Sequence, residues 1–285
     1  MNLLFRASIV LKTIIKIILD CIQSFFVLFA KVLHLIDFPV PLNSSMRKTS
    51  SRSISHYYIS GIRTYLPIAT CALRENIKLS ENIRILDFGC GVGRQLLHFT
   101  RLYPKPAYYA CDIDETSVNF IKKNYPKVNV YVNKPQPLLQ YPDGFFHMIY
   151  SVSIFSHLCL EDQKKWLPEL GRITMPGGIC FLTTEGITSL KYLSLDFSIE
   201  ENSLKEKLKR SGFLYKEYDF FKENRRMQNF LKRYAVCLGS QDSYGNTVLS
   251  PQYILKEWNT DYFDVVDIVE GIIDHRQDLV ILKRK

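Results

Sequence analysis

Ile85-Leu86-Asp87-Phe88-Gly89-Cys90-Gly91-Val92-Gly93-Arg94 is the stretch whose reading decides the fold. Apolar residues run up to one acidic residue, three alternate glycines follow, and Gln95-Leu96-Leu97-His98-Phe99 opens a helical pattern. A strand, a glycine loop and a helix in that order bring backbone N–H groups against a ligand at a helix N-terminus. The acidic residue just before the glycines is placed to meet a positive charge. The combination points to a nucleoside cofactor bearing an ammonium group. A pyrophosphate loop wants G-x-G-x-x-G, and its third glycine position is Arg94 here.

Outward from this stretch, short apolar runs (83–88, 107–112, 128–132, 145–151, 178–184) alternate with amphipathic helical patterns (95–102, 115–125, 161–170). That alternation predicts an α/β fold: a Rossmann-like, seven-stranded, mostly parallel sheet with helices on both faces. A helix over 251–258 and strands over 263–269 and 278–283 complete it. The link between the last two strands contains Gly271 and Asp274 and is too short for a crossover helix. The last strand is therefore expected to be antiparallel. Asp112 closes the second strand, about 20 residues past the glycine loop, where an acid binds ribose hydroxyls. Asp114 fits better as the cap of the next helix.

With 285 residues, 47% hydrophobic and 23% charged, the chain suits one α/β domain with additions, or two small domains. Its net charge of +9 favours an anionic partner: a membrane surface, nucleic acid or a phosphorylated substrate. A lysine-rich solvated surface gives the same number. The seven cysteines form no C-x-x-C pair, which disfavours a disulfide or zinc framework and suits free thiols in a reducing, cytoplasmic compartment. Cys90 reads as a small loop residue and not as a nucleophile. No metal-ligand cluster stands out, so metal-independent chemistry is expected.

Residues 3–36 are strongly apolar, but Lys12, Lys16, Asp20 and Lys31 interrupt any membrane-spanning run. Together with Gln23, Ser24 and His34 they recur at helical steps, as one narrow polar stripe. A helix lying in a membrane interface has that pattern, and so does a helix packed on protein. The run leads into Asp37-Phe38-Pro39 and not into a cleavage site, against a signal peptide. The expected organisation is an N-terminal amphipathic helix (1–42), then a linker and helical cap (43–82). The cap reads as helical over 56–78, interrupted by Gly61 and Pro67. A cofactor-binding domain (83–186 and 251–285) is expected to carry an insertion at 187–250. The insertion holds a charged helix (199–210) and an aromatic strand-like run (213–221), and reads as a lid over the site.

The ordered motifs resemble class I S-adenosylmethionine-dependent methyltransferases. Leu86-Asp87-Phe88-Gly89-Cys90-Gly91-Val92-Gly93 is similar to their first motif and Cys111-Asp112-Ile113-Asp114 to the second. Pro142-Asp143-Gly144-Phe145-Phe146-His147-Met148-Ile149-Tyr150-Ser151 resembles the fourth strand. Leu167-Pro168-Glu169-Leu170-Gly171-Arg172-Ile173 with Pro176-Gly177-Gly178, and Gln277-Asp278-Leu279-Val280-Ile281-Leu282, resemble the later motifs. Ser153-Ile154-Phe155-Ser156-His157-Leu158 looks like a bacterial small-molecule and glycan-type subgroup (methyltransferase type 11/12/25-like).

The resemblance implies S-adenosyl-L-methionine as cofactor, with Asp87 holding the methionine ammonium. Gly89, Cys90, Gly91 and Gly93 would let the backbone approach it, Asp112 would bind the ribose, and Ile113 would pack on the adenine. Asn133, where many relatives carry an acid against the adenine amine, and Ser151, at the fourth strand's end, complete the expected cofactor set. The chain also departs from the pattern at His147, where relatives have Asp. Arg63 stands where the subgroup carries a basic residue, and both a methionine carboxylate contact and a surface ion pair are open to it.

His157, after the fourth strand, is the candidate general base for a hydroxyl or protonated amine, a buried structural histidine being the alternative. Glu185, after the fifth strand, is a second candidate, and Tyr244 is placed to stack on an acceptor or to pack. The expected activity is methyl transfer to oxygen of a small-molecule or glycan acceptor, lipid-linked ones included. The expected location is the cytoplasm, peripheral at the inner face of the membrane through residues 1–36. Nucleic acid is disfavoured: Arg225-Arg226 and the charge suit RNA methylation, but no Asp/Asn-Pro-Pro-Tyr signature or RNA-binding module is present. A nicotinamide oxidoreductase and a non-catalytic nucleoside-binding scaffold are the readings from other classes.

Overall fold

The computed structural model describes residues 18–19, 21–22, 25–26, 29–30, 38–41, 53–197, 200–217 and 245–285. The polar-stripe residues Lys12, Lys16, Asp20, Gln23, Ser24, Lys31 and His34 lie outside them, as do linker residues 43–52, Arg225-Arg226, Cys237 and Tyr244.

In chain order, helix α1 (Ile54–Arg74) precedes β1 (Arg84–Phe88), α2 (Leu96–Leu102), β2 (Ala107–Asp112), α3 (Glu115–Asn124) and β3 (Asn129–Val132). Then come β4 (Phe146–Ser151), α4 (Leu160–Ile173) and β5 (Thr174–Glu185). The insertion contributes α5 (Leu190–Phe197), α6 (Glu201–Ser211), β6 (Phe213–Glu217) and β7 (Gly245–Leu249). Helix α7 (Pro251–Glu257), β8 (Phe263–Ile273) and β9 (Gln277–Arg284) end the chain.

Strands β3-β2-β1-β4-β5 pair in parallel, in that spatial order. Strand β9 runs antiparallel to both β5 and β8. These are the seven strands expected, with the antiparallel last strand. Strand β6 falls on the strand-like run read at 213–221; the sequence did not foretell β7, nor that β6 and β7 form an antiparallel pair that joins the end of β5 where Glu185 meets Val248. Strand order reverses between β1 and β4, and ligands of such sheets bind at the carboxyl ends beside that reversal.

Alternation along each strand splits the core into two layers. Ile85, Met148, Tyr150, Phe181 and Ile281 face Tyr57 and Ile68 of α1 and Leu96 and Phe99 of α2. Leu86, Phe88, Ile149, Leu182 and Val280 face Trp166 and Leu170 of α4 and Ile254 of α7. Each such buried side chain contributes about 1.5–3 kcal/mol relative to exposure. The insertion has a small cluster of its own, formed by Leu190, Leu193, Leu204, Leu208 and Val248.

Helix α1 runs unbroken through Gly61 and Pro67, where interruptions were expected. Burial of Tyr57, Tyr65, Ile68 and Ala72 along one face outweighs the two poor helix formers. Gly61 is needed for close approach, since a Cβ there would stand 2.5 Å from the Arg94 carbonyl oxygen. Among the described residues no helix is long and apolar enough to cross a membrane.

Candidate active site

Strand β1 delivers Asp87 to the carboxyl edge, opposite Tyr150 of β4. Asp87 is buried, and the Tyr150 hydroxyl donates to its Oδ2 at 3.0 Å. Burial lifts this carboxyl to about 8; the Tyr150 hydrogen bond and Arg94 oppose the rise, while Asp112 adds to it. Such an acid ionises when a cation arrives beside it.

The loop after β1 turns through three glycines in the left-handed region, Gly89, Gly91 and Gly93. Gly89, at φ +79°, has the Ile154 side chain so close that no Cβ fits. The amides of Gly89 and Cys90 both donate to the Cys111 carbonyl, at 2.9 and 3.0 Å, which ties the loop to the end of β2. Burial pushes the Cys90 thiol well up, which removes it as a nucleophile.

Asp112 is held from both sides. Its Oδ2 accepts from the Gly91 amide and its Oδ1 from the Asp114 amide, each at 2.8 Å. These two bonds fix the orientation of a carboxylate, a group that only accepts and so suits hydroxyl donors. Asp114 caps α3 through Ser117, as expected. Half-buried Ile113 lies between these two acids. Asn133 is buried, and its side-chain amide donates to the Lys134 carbonyl at 2.8 Å. Ser151 is fully buried, and its hydroxyl has no hydrogen-bond partner.

The sequence reading missed Arg94, treating it only as a lost glycine. Its Nη1 donates to Ser60 Oγ at 3.3 Å, while its Nε is buried without a partner. Burial lowers its pKa, against which Asp274, Tyr57 and Asp87 act to raise it. A basic residue directly after the acid–glycine loop was the signal available. Helix α1 is strapped to this loop by Tyr57, whose hydroxyl donates to the Val92 carbonyl at 3.0 Å. Arg63 instead makes a solvent-exposed ion pair with Asp274, at 3.7 Å.

Beyond β4 the chain enters a tight turn. Ser153 sits at φ +61°, its amide donating to Thr183 Oγ1 at 2.8 Å and its hydroxyl paired with the Gln277 side chain. Strain of this kind persists where surrounding contacts over-determine it. His157 Nδ1 lies 3.0 Å from the Gly245 carbonyl. A carbonyl only accepts, so Nδ1 carries the proton and Nε2 the lone pair. Burial lowers the His157 pKa to about 4; the Gly245 hydrogen bond opposes this and Arg276 adds to it. Glu185 is buried, and its Oε1 accepts from Arg276 at 2.6 and 2.8 Å. The Arg276 guanidinium lies 5.9 Å from the Tyr192 ring centre. His147, at the opposite end of β4, accepts from the Arg84 amide at 3.2 Å, away from this edge.

The carboxyl edge thus offers an ionisable acid, an unsatisfied guanidinium nitrogen and a second, oriented carboxylate. That set complements an α-amino acid group joined to a ribose.

Residues 86–182 match a family model described as a methyltransferase domain. The uncharacterized protein RP028 of Rickettsia prowazekii is 28% identical over 177 residues, 58% of this chain and 71% of that protein. A tRNA N(3)-cytidine methyltransferase of Danio rerio is 29% identical over 38% of this chain and 33% of its own length. A phosphoethanolamine N-methyltransferase of Plasmodium falciparum is 26% identical over 40% and 44%. The chain spans less than half the length of these last two relatives. The crystal structure of the PH0226 protein from Pyrococcus horikoshii OT3 shares the fold, with a TM-score of 0.52 at 15% identity, over 80% of this chain and 91% of that one.

Proposed function

We propose that this protein, whose residues 86–182 match a methyltransferase-domain model, moves a methyl group from S-adenosyl-L-methionine to a hydroxyl oxygen of a small-molecule or glycan acceptor. One observation carries the reading: buried Asp87 and Arg94, with its unpartnered Nε, flank the glycine loop, and oriented Asp112 accepts from the loop's Gly91 amide. When bound, the cofactor supplies a methyl group already activated on a sulfonium. Asp87 takes the methionine ammonium and Arg94 the carboxylate, a charge-assisted pairing of both ends of the amino acid. Ser151 adds a hydroxyl there. Asp112 accepts from the ribose hydroxyls, Ile113 packs on the adenine, and Asn133 lines the same end of the pocket.

The remaining task of the chain is alignment of the acceptor and exclusion of water. His157, neutral at working pH with its lone pair on Nε2, accepts the hydroxyl proton. Glu185 holds Arg276 beside it and is the alternative base. The insertion brings β7 against the His157 backbone, where the Gly245 amide donates to the His157 carbonyl at 3.0 Å. Acceptor selection therefore falls to the insertion.

The +9 charge and the similarity to a tRNA methyltransferase favour RNA as a second acceptor class. One experiment separates the readings. The full chain is incubated with methyl-labelled cofactor and, in parallel, total RNA, a small-molecule extract and a glycolipid extract. Label in the small-molecule or glycolipid fraction is expected. Label in RNA alone would replace the reading with the second one, and no binding of S-adenosylhomocysteine at all would remove both.

A further inference from the structure

Residues 18–19, 21–22, 25–26 and 29–30 are helical. Within them Ile18, Leu19, Ile22, Phe25, Phe26 and Phe29 follow the spacing of a single helix face. All six are exposed, from 47% at Ile22 to 64% at Phe25. The phenylalanines rest on one another: the Phe25 and Phe29 rings stack at 6.0 Å, and Phe25 meets Phe26 edge-on at 5.8 Å. Monomeric proteins rarely leave a continuous apolar row in water, and such rows mark docking surfaces.

Charge identifies the occupant. Residues 1–52 contain seven Lys or Arg against Asp20 and Asp37, so that segment holds five of the nine net positive charges. A second copy of the same basic segment would repel it, whereas an anionic surface attracts it. A face of Phe, Ile and Leu beside basic residues is the pattern of a helix lying in the headgroup plane. Lys12, Lys16, Asp20 and Lys31 interrupt the apolar run that a spanning helix would need. We propose that the exposed Ile18–Phe29 face docks on an anionic lipid bilayer. Phe38, nine residues after Phe29 in the sequence, is buried in the core and stacks on Tyr58 at 4.9 Å. Docking therefore tethers the domain to the bilayer, whatever acceptor it uses.

The test needs no turnover. Flotation of the full chain is compared on phosphatidylcholine vesicles and on phosphatidylcholine–phosphatidylglycerol vesicles. The expected result is about tenfold more bound protein on the anionic vesicles, falling as salt rises. Phe25→Ser/Phe26→Ser/Phe29→Ser should lower that binding about tenfold, and Lys12→Glu/Lys16→Glu should lower it and flatten its salt dependence. Circular dichroism and the thermal midpoint monitor the fold. Phe25→Ser alone, with a partial loss, serves if the triple variant misfolds. The proposal is overturned if the wild-type chain does not float on anionic vesicles, or if the phenylalanine variants float equally well. A Phe-dependent dimer in sedimentation without any flotation would likewise overturn it, assigning the face to a second copy.

Discussion

Asp87 concentrates the pH behaviour of the site in one residue. Its carboxyl is held near 8 by burial, well above the usual carboxylate range. A group raised in the folded state binds more protons there than in the unfolded chain, so its contribution to stability is present at low pH and fades as pH rises toward 8. A cationic ligand reverses this by favouring the charged form. Binding of S-adenosylhomocysteine at pH 7 should therefore expel close to one proton, and affinity should rise up to about pH 8. Calorimetry in buffers of different ionisation enthalpy measures the proton directly. Asp87→Asn should abolish the release and weaken binding at least tenfold; a wild-type protein that releases none would contradict the assignment of the ammonium to Asp87. His157 behaves oppositely. Burial takes it down to about 4, so it is already neutral between pH 6 and 8 and contributes no limb to the rate profile in that range. His157→Gln is expected to reduce kcat by about 10²–10³ with little effect on cofactor affinity, if it serves as base. An unchanged kcat would leave it a structural residue that ties the turn after β4 to β7.

Helix α1 and the glycine loop act as one element because Gly61 permits them to touch. Ala is the better helix former by about 1 kcal/mol. Here, however, its Cβ would stand 2.5 Å from the Arg94 carbonyl oxygen, which is backbone and cannot step aside. Overpacking of that kind costs about 1–3 kcal/mol. Gly61→Ala should therefore destabilise the protein by about 1–2 kcal/mol in urea melts and also weaken S-adenosylhomocysteine binding, since the loop moves with the helix. A gain in stability would show that the contact is slack. The same position explains why α1 was only partly legible: Gly61 and Pro67 read as breaks, and only tertiary contact shows why they are tolerated. The β8–β9 turn was hidden for a related reason. Asp274 and His275 both have positive φ, at 52° and 53°. Hairpin turns of that shape ordinarily advertise themselves with Asn-Gly or Asp-Gly. Here the short link and its flanking strands were readable, but the turn residues were not.

For the molecule as a whole, legibility followed locality. The five parallel strands, the crossover helices and the antiparallel end are each written in a short apolar run, and Asp87, the glycines and Asp112 lie within or beside such runs. Arg94 escaped because its meaning depends on Ser60 and Asp274, distant in sequence. The β6–β7 pair escaped because a long stretch separates its strands, so no local turn announced it. What the sheet does with its ligand can be read globally. A ligand that binds only the folded chain stabilises it by about 2.7 kcal/mol at one hundred times its dissociation constant. In a protein of this size each kcal/mol is worth roughly 2–4 °C in Tm. S-adenosylhomocysteine at that concentration should raise the melting temperature by roughly 5–10 °C. NAD at the same concentration should leave it unmoved, because Arg94 stands where a pyrophosphate loop needs its third glycine. Differential scanning calorimetry with both ligands decides the cofactor for the entire fold: a shift with NAD and none with S-adenosylhomocysteine would make the Asp87–Arg94–Asp112 arrangement a dinucleotide site and remove methyl transfer from the molecule.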